Sequence, residues 1–219
     1  MQRGSRYHGG VSKVDLSPRP VETMSPRQLE RRKHLIDAAL TLVSETGVER
    51  LQMKQVSERS GVALGTTYRY FSSKEHLLAA AASDWRAKLM DDLAAELRGS
   101  VPPARGSDRV VRFVRRGMRA FQRQPNLARL LVTVSVSTDP FASEVVDAMA
   151  ATGRASLLAL MPDVPPAARE VVPHLIDAAW QSELVAWVTG RTTIADAFAR
   201  LEEVIRLVLA PYAAGSVAV

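Results

Sequence analysis

An all-α chain is predicted by three features of the sequence. Apolar residues recur at three- and four-residue spacing through most of it, Ala, Leu, Val, Arg and Glu lead its composition, and Gly and Pro punctuate it at intervals that suit helices. The pattern gives about nine helices, three in a small N-terminal unit and the rest in a larger C-terminal one. With 219 residues, 47% hydrophobic and 24% charged, the chain can bury a core without covalent staples. Val132-Thr-Val-Ser-Val alternates like a strand, but no partner strand exists elsewhere, so it is assigned to a helix.

Composition removes several functions. No cysteine is present, which excludes disulfides, thiolate nucleophiles and cysteine metal sites and suits the reducing cytoplasm. No apolar run approaches the roughly 18 residues of a bilayer span, and Met1 to Thr23 lacks a signal-like core, so neither membrane insertion nor export is expected. His8, His34, His76 and His174 are scattered without metal-ligand spacing, and neither a glycine-rich phosphate loop nor a nucleophile elbow occurs. An enzyme, a cofactor and a metal are therefore not expected. The net charge of +6 is uneven: residues 1–78 hold 13 Lys and Arg against 8 Asp and Glu, and residues 79–219 hold 16 against 15. A basic first third fits contact with a polyanion, and equally a merely solvated basic surface.

Residues 1–24, with Gly4, Gly9, Gly10, Pro18 and Pro20, have too few apolar groups to pack and read as a disordered basic arm, one that touches phosphates or has no role. Order is predicted from Ser25, where an N-cap hydroxyl, Pro26 and Gln28 form a capping box. The first helix should run to about Thr46, end at Gly47, and bury Leu29, Leu35, Ile36, Ala39, Leu40, Leu42 and Val43, leaving Arg31, Arg32 and Lys33 outside. Short helices from Gln52 to Ser60 and from Leu64 to Tyr70, joined by Gly61-Val62-Ala63, outline a helix-turn-helix. Ser73 caps a long fourth helix from Lys74 to about Leu97, and a break with Pro102 and Pro103 follows. Further helices are expected at about 108–124, 125–135, 140–160, 167–189 and 192–210. The expected domains are residues 25–78 for DNA and 79–219 for ligand and dimer.

The seven-residue helix from Leu64 to Tyr70 is polar and aromatic, poor material for a core. Gly65 and Thr66 are small enough to let its backbone approach a major groove. Tyr68 and Tyr70 can offer hydroxyls to phosphates, and Lys74 lies in the first turn of the next helix, where free amides already attract anions. Arg69 can reach a base edge, a phosphate or water, and Phe71 should plug the small core. The alternative packs the tyrosines inside a three-helix bundle and leaves Lys74 solvated. Gly61 through Leu78 resembles the core of the TetR family: glycine and valine in the turn, a small residue, Thr66, Tyr68, a second aromatic, Phe71, and a lysine opening the fourth helix. Ala63 departs from the Ser or Thr common at the cap, and Thr67 from the usual leucine. The resemblance implies a dimeric, ligand-released repressor on a near-palindromic double-stranded operator. It also implies that Gln52 and Lys54, with Leu64 on the recognition helix, face the DNA.

Phe113, Met118, Phe121, Leu130, Val134, Phe141, Met149, Trp180, Leu184 and Trp187 are candidates to line a ligand pocket between helices, although the same residues would serve an ordinary core. Leu51-Gln52-Met53, Met118 with Gln122, Arg123 and Pro125, and Trp180 through Trp187 resemble segments of the family's actinobacterial regulators of steroid catabolism. That likeness implies an apolar inducer, a steroid or fatty acyl-CoA. Arg112, Arg115, Arg116, Arg119 and Arg123 run along one side of a helix, able to meet phosphates or to pair with acids on neighbouring helices. The last two helices carry more apolar surface than one face each requires, as expected of a homodimer interface. The rival reading is a helical DNA-binding or architectural protein that senses nothing.

Overall fold

The computed structural model describes residues 18–98 and 106–212, so most of the expected arm, and Pro102 and Pro103, lie outside the described residues. Among the described residues there are nine α-helices and no strand: α1 (Pro26–Thr46), α2 (Met53–Ser60), α3 (Leu64–Tyr70), α4 (Lys74–Arg98), α5 (Gly106–Arg123), α6 (Pro125–Ser135), α7 (Pro140–Ala159), α8 (Val171–Val188) and α9 (Ile194–Leu209). The ambiguous segment Val132-Thr-Val-Ser belongs to α6, as expected.

Local chemistry sets the ends. Gln28 Oε1 accepts the Ser25 N–H at 2.8 Å ahead of Pro26, and α1 stops at Gly47, whose φ of +87° only glycine adopts freely. Gln55 closes the start of α2 by accepting the Gln52 N–H at 3.0 Å, which leaves Gln52 at the cap rather than inside the helix. Gly61, left-handed at φ +69°, turns the chain from α2 into α3. Ser73 Oγ accepts the His76 N–H at 2.9 Å and starts α4, and Asp139 and Thr193 do the same for α7 and α9 at 2.8 and 3.1 Å.

Two expectations need correcting. Leu29, assigned to the buried stripe of α1, is 42% exposed, because the packed face begins nearly two turns later, at Leu35. α8 begins at Val171, not near residue 167, since the run of prolines favours a 3₁₀ turn over Pro166–Ala168.

α4 organises the molecule. Leu77 to Ala82 are all buried, and the run of four alanines lets neighbouring helices approach closely. α4 packs against α1, α5, α6 and α7. The residues expected to divide two domains, Leu78 and Ala79, lie inside this stretch, so head and body share a helix. Asn126 Nδ2 on α6 donates to Ser44 O at 2.9 Å, and Lys33 approaches Asp84 at 3.6 Å, tying the head down on both sides. α8 and α9 form a hairpin through Gly190, and α5 lies across α9.

Candidate nucleic-acid interface and effector cavity

The two faces of α3 divide its residues. Thr67, Tyr70 and Phe71 point inward and are buried, Tyr70 with 6% of its surface left. Leu64 at 39% and Tyr68 at 47% are exposed, with Gly65 and Arg69 beside them and Thr66 at the edge. A methyl on Gly65 would meet nothing within 4 Å, so the backbone there is open to a close partner. Gln52 at the cap of α2 and Lys54 in its first turn are exposed, and Lys74 is half-buried in the first turn of α4. Tyr70 is thus a correction: it is a core residue of the head, on the opposite side of α3 from Tyr68.

Basic groups absent from the expected set join this face. Arg27, Arg31 and His34 on α1 line a cleft with Gly61, Val62 and Ala63 of the turn and Thr66 of α3, with Glu30 as its acid. The spacing of Arg27 and Arg31, one helical turn, was visible; that their side of α1 flanks α3 was not. The neighbouring cations of α1 are otherwise engaged. Arg32 lies over the Phe71 ring at 5.1 Å, and burial holds its pKa below the usual guanidinium value, opposed by Asp84. Lys33 is bonded to Asp37, which raises its pKa.

In the body, a narrow cavity of about 50 Å³ lies where α4, α5, α6, α7 and α8 converge. Of the expected lining, Phe113, Phe121, Met149, Trp180 and Leu184 face it. Gly117 makes room for Trp180, since a Cβ there would stand 3.0 Å from the indole, and Phe121 meets the Trp180 ring edge-on with centroids 5.3 Å apart.

The other five candidates lie elsewhere. Met118 and Leu130 are buried in the core beside the cavity, Leu131 lining it in place of Leu130. Val134 borders a groove beneath the head with Val48, Lys74 and Leu78. Phe141 stacks on His76 at 5.5 Å, and His76 meets Phe71 edge-on at 5.3 Å, which places Phe141 at the junction of head and body. Burial there lowers the His76 pKa, assisted by Arg32 and opposed by Asp139. Trp187 is half-buried against the core, away from the cavity.

Polar members of the cavity wall escaped the sequence reading: Arg86 on α4, and Asp177 and Gln181 on α8. Hydrophobic periodicity has no means of reporting them. The arginine stripe of α5 is engaged in part: Arg115 pairs with Glu202 at 3.2 Å and covers the Phe198 ring at 4.8 Å. Among the described residues no group of three or more His, Asp or Glu could hold a metal ion, and no helix is long and apolar enough to cross a membrane.

Comparison with known proteins agrees with this geometry. Residues 35–81 match the family described as bacterial regulatory proteins, tetR family, and residues 104–208 match the tetracyclin repressor-like C-terminal domain. The HTH-type transcriptional repressor KstR of Rhodococcus jostii is 36% identical over 187 residues, 84% of this chain and 85% of that one. A TetR transcriptional regulator from Rhodococcus sp. RHA1 superposes with a TM-score of 0.72 at 26% identity, covering 84% of this chain and 97% of its own. Thermus thermophilus FadR, solved in complex with lauroyl-CoA, shares the fold at a TM-score of 0.66 and 16% identity, covering 86% and 95%. The chain belongs to the TetR family of transcriptional regulators.

Proposed function

We propose that the protein is a homodimeric repressor whose residues 25–78 read operator DNA and whose residues 79–219 bind an apolar effector and a second subunit. Gln52, Lys54, Leu64, Gly65, Thr66, Tyr68, Arg69 and Lys74 are the DNA set, with Arg27 and Arg31 added to the phosphate contacts. The KstR repressors to which the chain is similar support repression, and the acyl-CoA held by a structural neighbour supports a long apolar effector, a steroid or fatty acyl compound. The chain works where its DNA is, in the cytoplasm.

The observation that carries the sensing half is the position and size of the cavity. About 50 Å³ is far below the few hundred Å³ of ordinary ligand sites. An effector must therefore spread the helices around it, and one wall, Arg86 and Met90, belongs to α4. The same helix begins at Lys74 directly after α3, so displacing its middle moves the recognition helix. An effector that binds only the spread state draws the population away from the form that fits DNA.

The dimer face differs from the simplest expectation. Leu184, Leu201, Ile205 and Leu209 are buried within their own chain. The most exposed large apolar groups on these helices are Val171 and Leu175 on α8 and Leu207, 74% exposed, on α9, and Val185 and Val204 are half-exposed beside them. Two heads related by the two-fold axis would read half-sites about 34 Å apart, or a multiple of that.

A gel shift with duplex from the gene's own upstream region, against random duplex, tests the reading when repeated with lauroyl-CoA, dodecanoate and cholate. Selective binding that one of the three releases is expected. Equal affinity for random duplex favours an architectural protein, and binding that all three leave intact removes the sensing half.

A further inference from the structure

Arg86 sits where two spaces meet. It lines the internal cavity together with Met90, Met149 and Gly153, and the same four residues line an outer groove between α4 and α7. The groove side adds the hydroxyls of Ser83, Thr152 and Ser156 and the exposed carboxylate of Asp91, and the cavity side adds aromatic and aliphatic groups such as Phe113, Phe121 and Leu157. The guanidinium therefore stands in the wall between an apolar interior and a polar mouth.

Its seat is built. Gly153 is the residue of α7 against which the guanidinium lies, and a methyl there would collide with it. Glycine in the middle of a helix costs about 1 kcal/mol against alanine, so the seat is held at some expense to α7. Charge around the seat is unbalanced. Asp177 is the acid of the cavity wall, and its carboxylate pairs with Arg154 on α7 at 3.7 Å. Among the described residues Arg86 has no ion pair or hydrogen bond of its own and feels Asp177 only at longer range. Two guanidiniums thus share the one carboxylate of the cavity wall, while the acid of the outer groove, Asp91, is exposed to solvent and does not act on Arg86.

We propose that the effector is an amphiphile with a single carboxylate, inserted with its apolar body in the cavity and its acid group on Arg86 at the mouth. The inference rests on the sensing role proposed above and specifies the ligand's chemical class and orientation. A planar guanidinium accepts a carboxylate through two parallel N–H donors, and in this sheltered place the pair is stronger than at a surface. With the guanidinium on its Gly153 seat between α4 and α7, an apolar body inserted past it parts the two helices. Recognition of the acid and displacement of α4 become one event.

Titration calorimetry on the full chain, with dodecanoate and the neutral dodecanol as probes, tests this. The wild type should bind the acid about tenfold or more tighter than the alcohol. Arg86→Met should remove that preference. Gly153→Ala, which evicts the guanidinium while leaving its charge, should reduce it. Circular dichroism establishes that each variant is folded, and should Arg86→Met fail to fold, Gly153→Ala carries the test. Equal affinity for acid and alcohol in the wild type, or a preference that survives in both variants, overturns the assignment of Arg86. Release of DNA by lauroyl-CoA without binding of dodecanoate overturns it too, while leaving the sensing role in place. If no probe binds and none releases DNA, both fall together.

Discussion

Tyr68 and Tyr70 stand two positions apart on α3, about 200° around the helix axis, and do opposite work. Tyr68 is exposed beside Gly65 and Arg69, whereas Tyr70 joins Phe71 in the head's core. Replacing Tyr70 with alanine should lower unfolding stability by about 3–5 kcal/mol, and replacing Tyr68 should change it by less than about 0.5 kcal/mol. Urea denaturation of both variants checks this, and equal losses would mean that α3 is rotated from the orientation described. The difference was legible in the residues themselves, since two tyrosines at that spacing cannot share one helical face. Aromatic content alone obscured it. At the cavity the limit was of another kind. Periodicity distinguishes apolar from polar positions but not Leu130 from its neighbour Leu131, and it gives Gly117 and Gly153 no weight although both shape the wall.

Helix ends that rest on local chemistry were readable. Ser25 with Pro26, Gly47, Gly61, Ser73, Pro125 and Pro140 each act within four residues of chain, and α1, α3, α6 and the start of α7 lie where those signals put them. The start of α8 was not, because Pro165 and Pro166 permit either an early helix or a 3₁₀ turn. Pairings between helices were out of reach: Arg206 meets Asp108 at 2.9 Å across nearly the whole body, a contact no local pattern announces. The junction of α3, α4 and α7 carries a pH dependence. His76 has its pKa pushed below the ordinary 6.5 by burial, with Arg32 adding to the shift and Asp139 opposing it. The unfolded chain takes up a proton near that value and the folded chain resists, so His76 leaves stability intact above it and erodes stability as pH falls through it. Thermal unfolding should therefore shift down between neutral and mildly acidic pH, and by less in His76→Phe, which keeps a ring against Phe141. An identical shift in the variant would assign the effect to other groups.

At the scale of the whole molecule, the outer walls are ion-paired and the interior around α4 is only just closed. On the outside, Arg200 of α9 pairs with Glu183 of α8 at 2.6 Å, and Arg109 of α5 pairs with Asp163 in the turn after α7 at 3.3 Å. The cavity between α4 and α8 is too small for an effector until those helices part. Under the proposed function the molecule has two states, closed around nothing and opened around a ligand, and DNA selects one of them. The coupling must then run both ways: if an effector weakens operator binding by some factor, the operator weakens effector binding by the same factor. Titration calorimetry of whichever of dodecanoate, lauroyl-CoA and cholate binds, performed on the free protein and on its operator complex, measures this directly. The account predicts weaker effector binding to the complex, by the factor found for DNA release. Equal effector affinity with and without operator would contradict it.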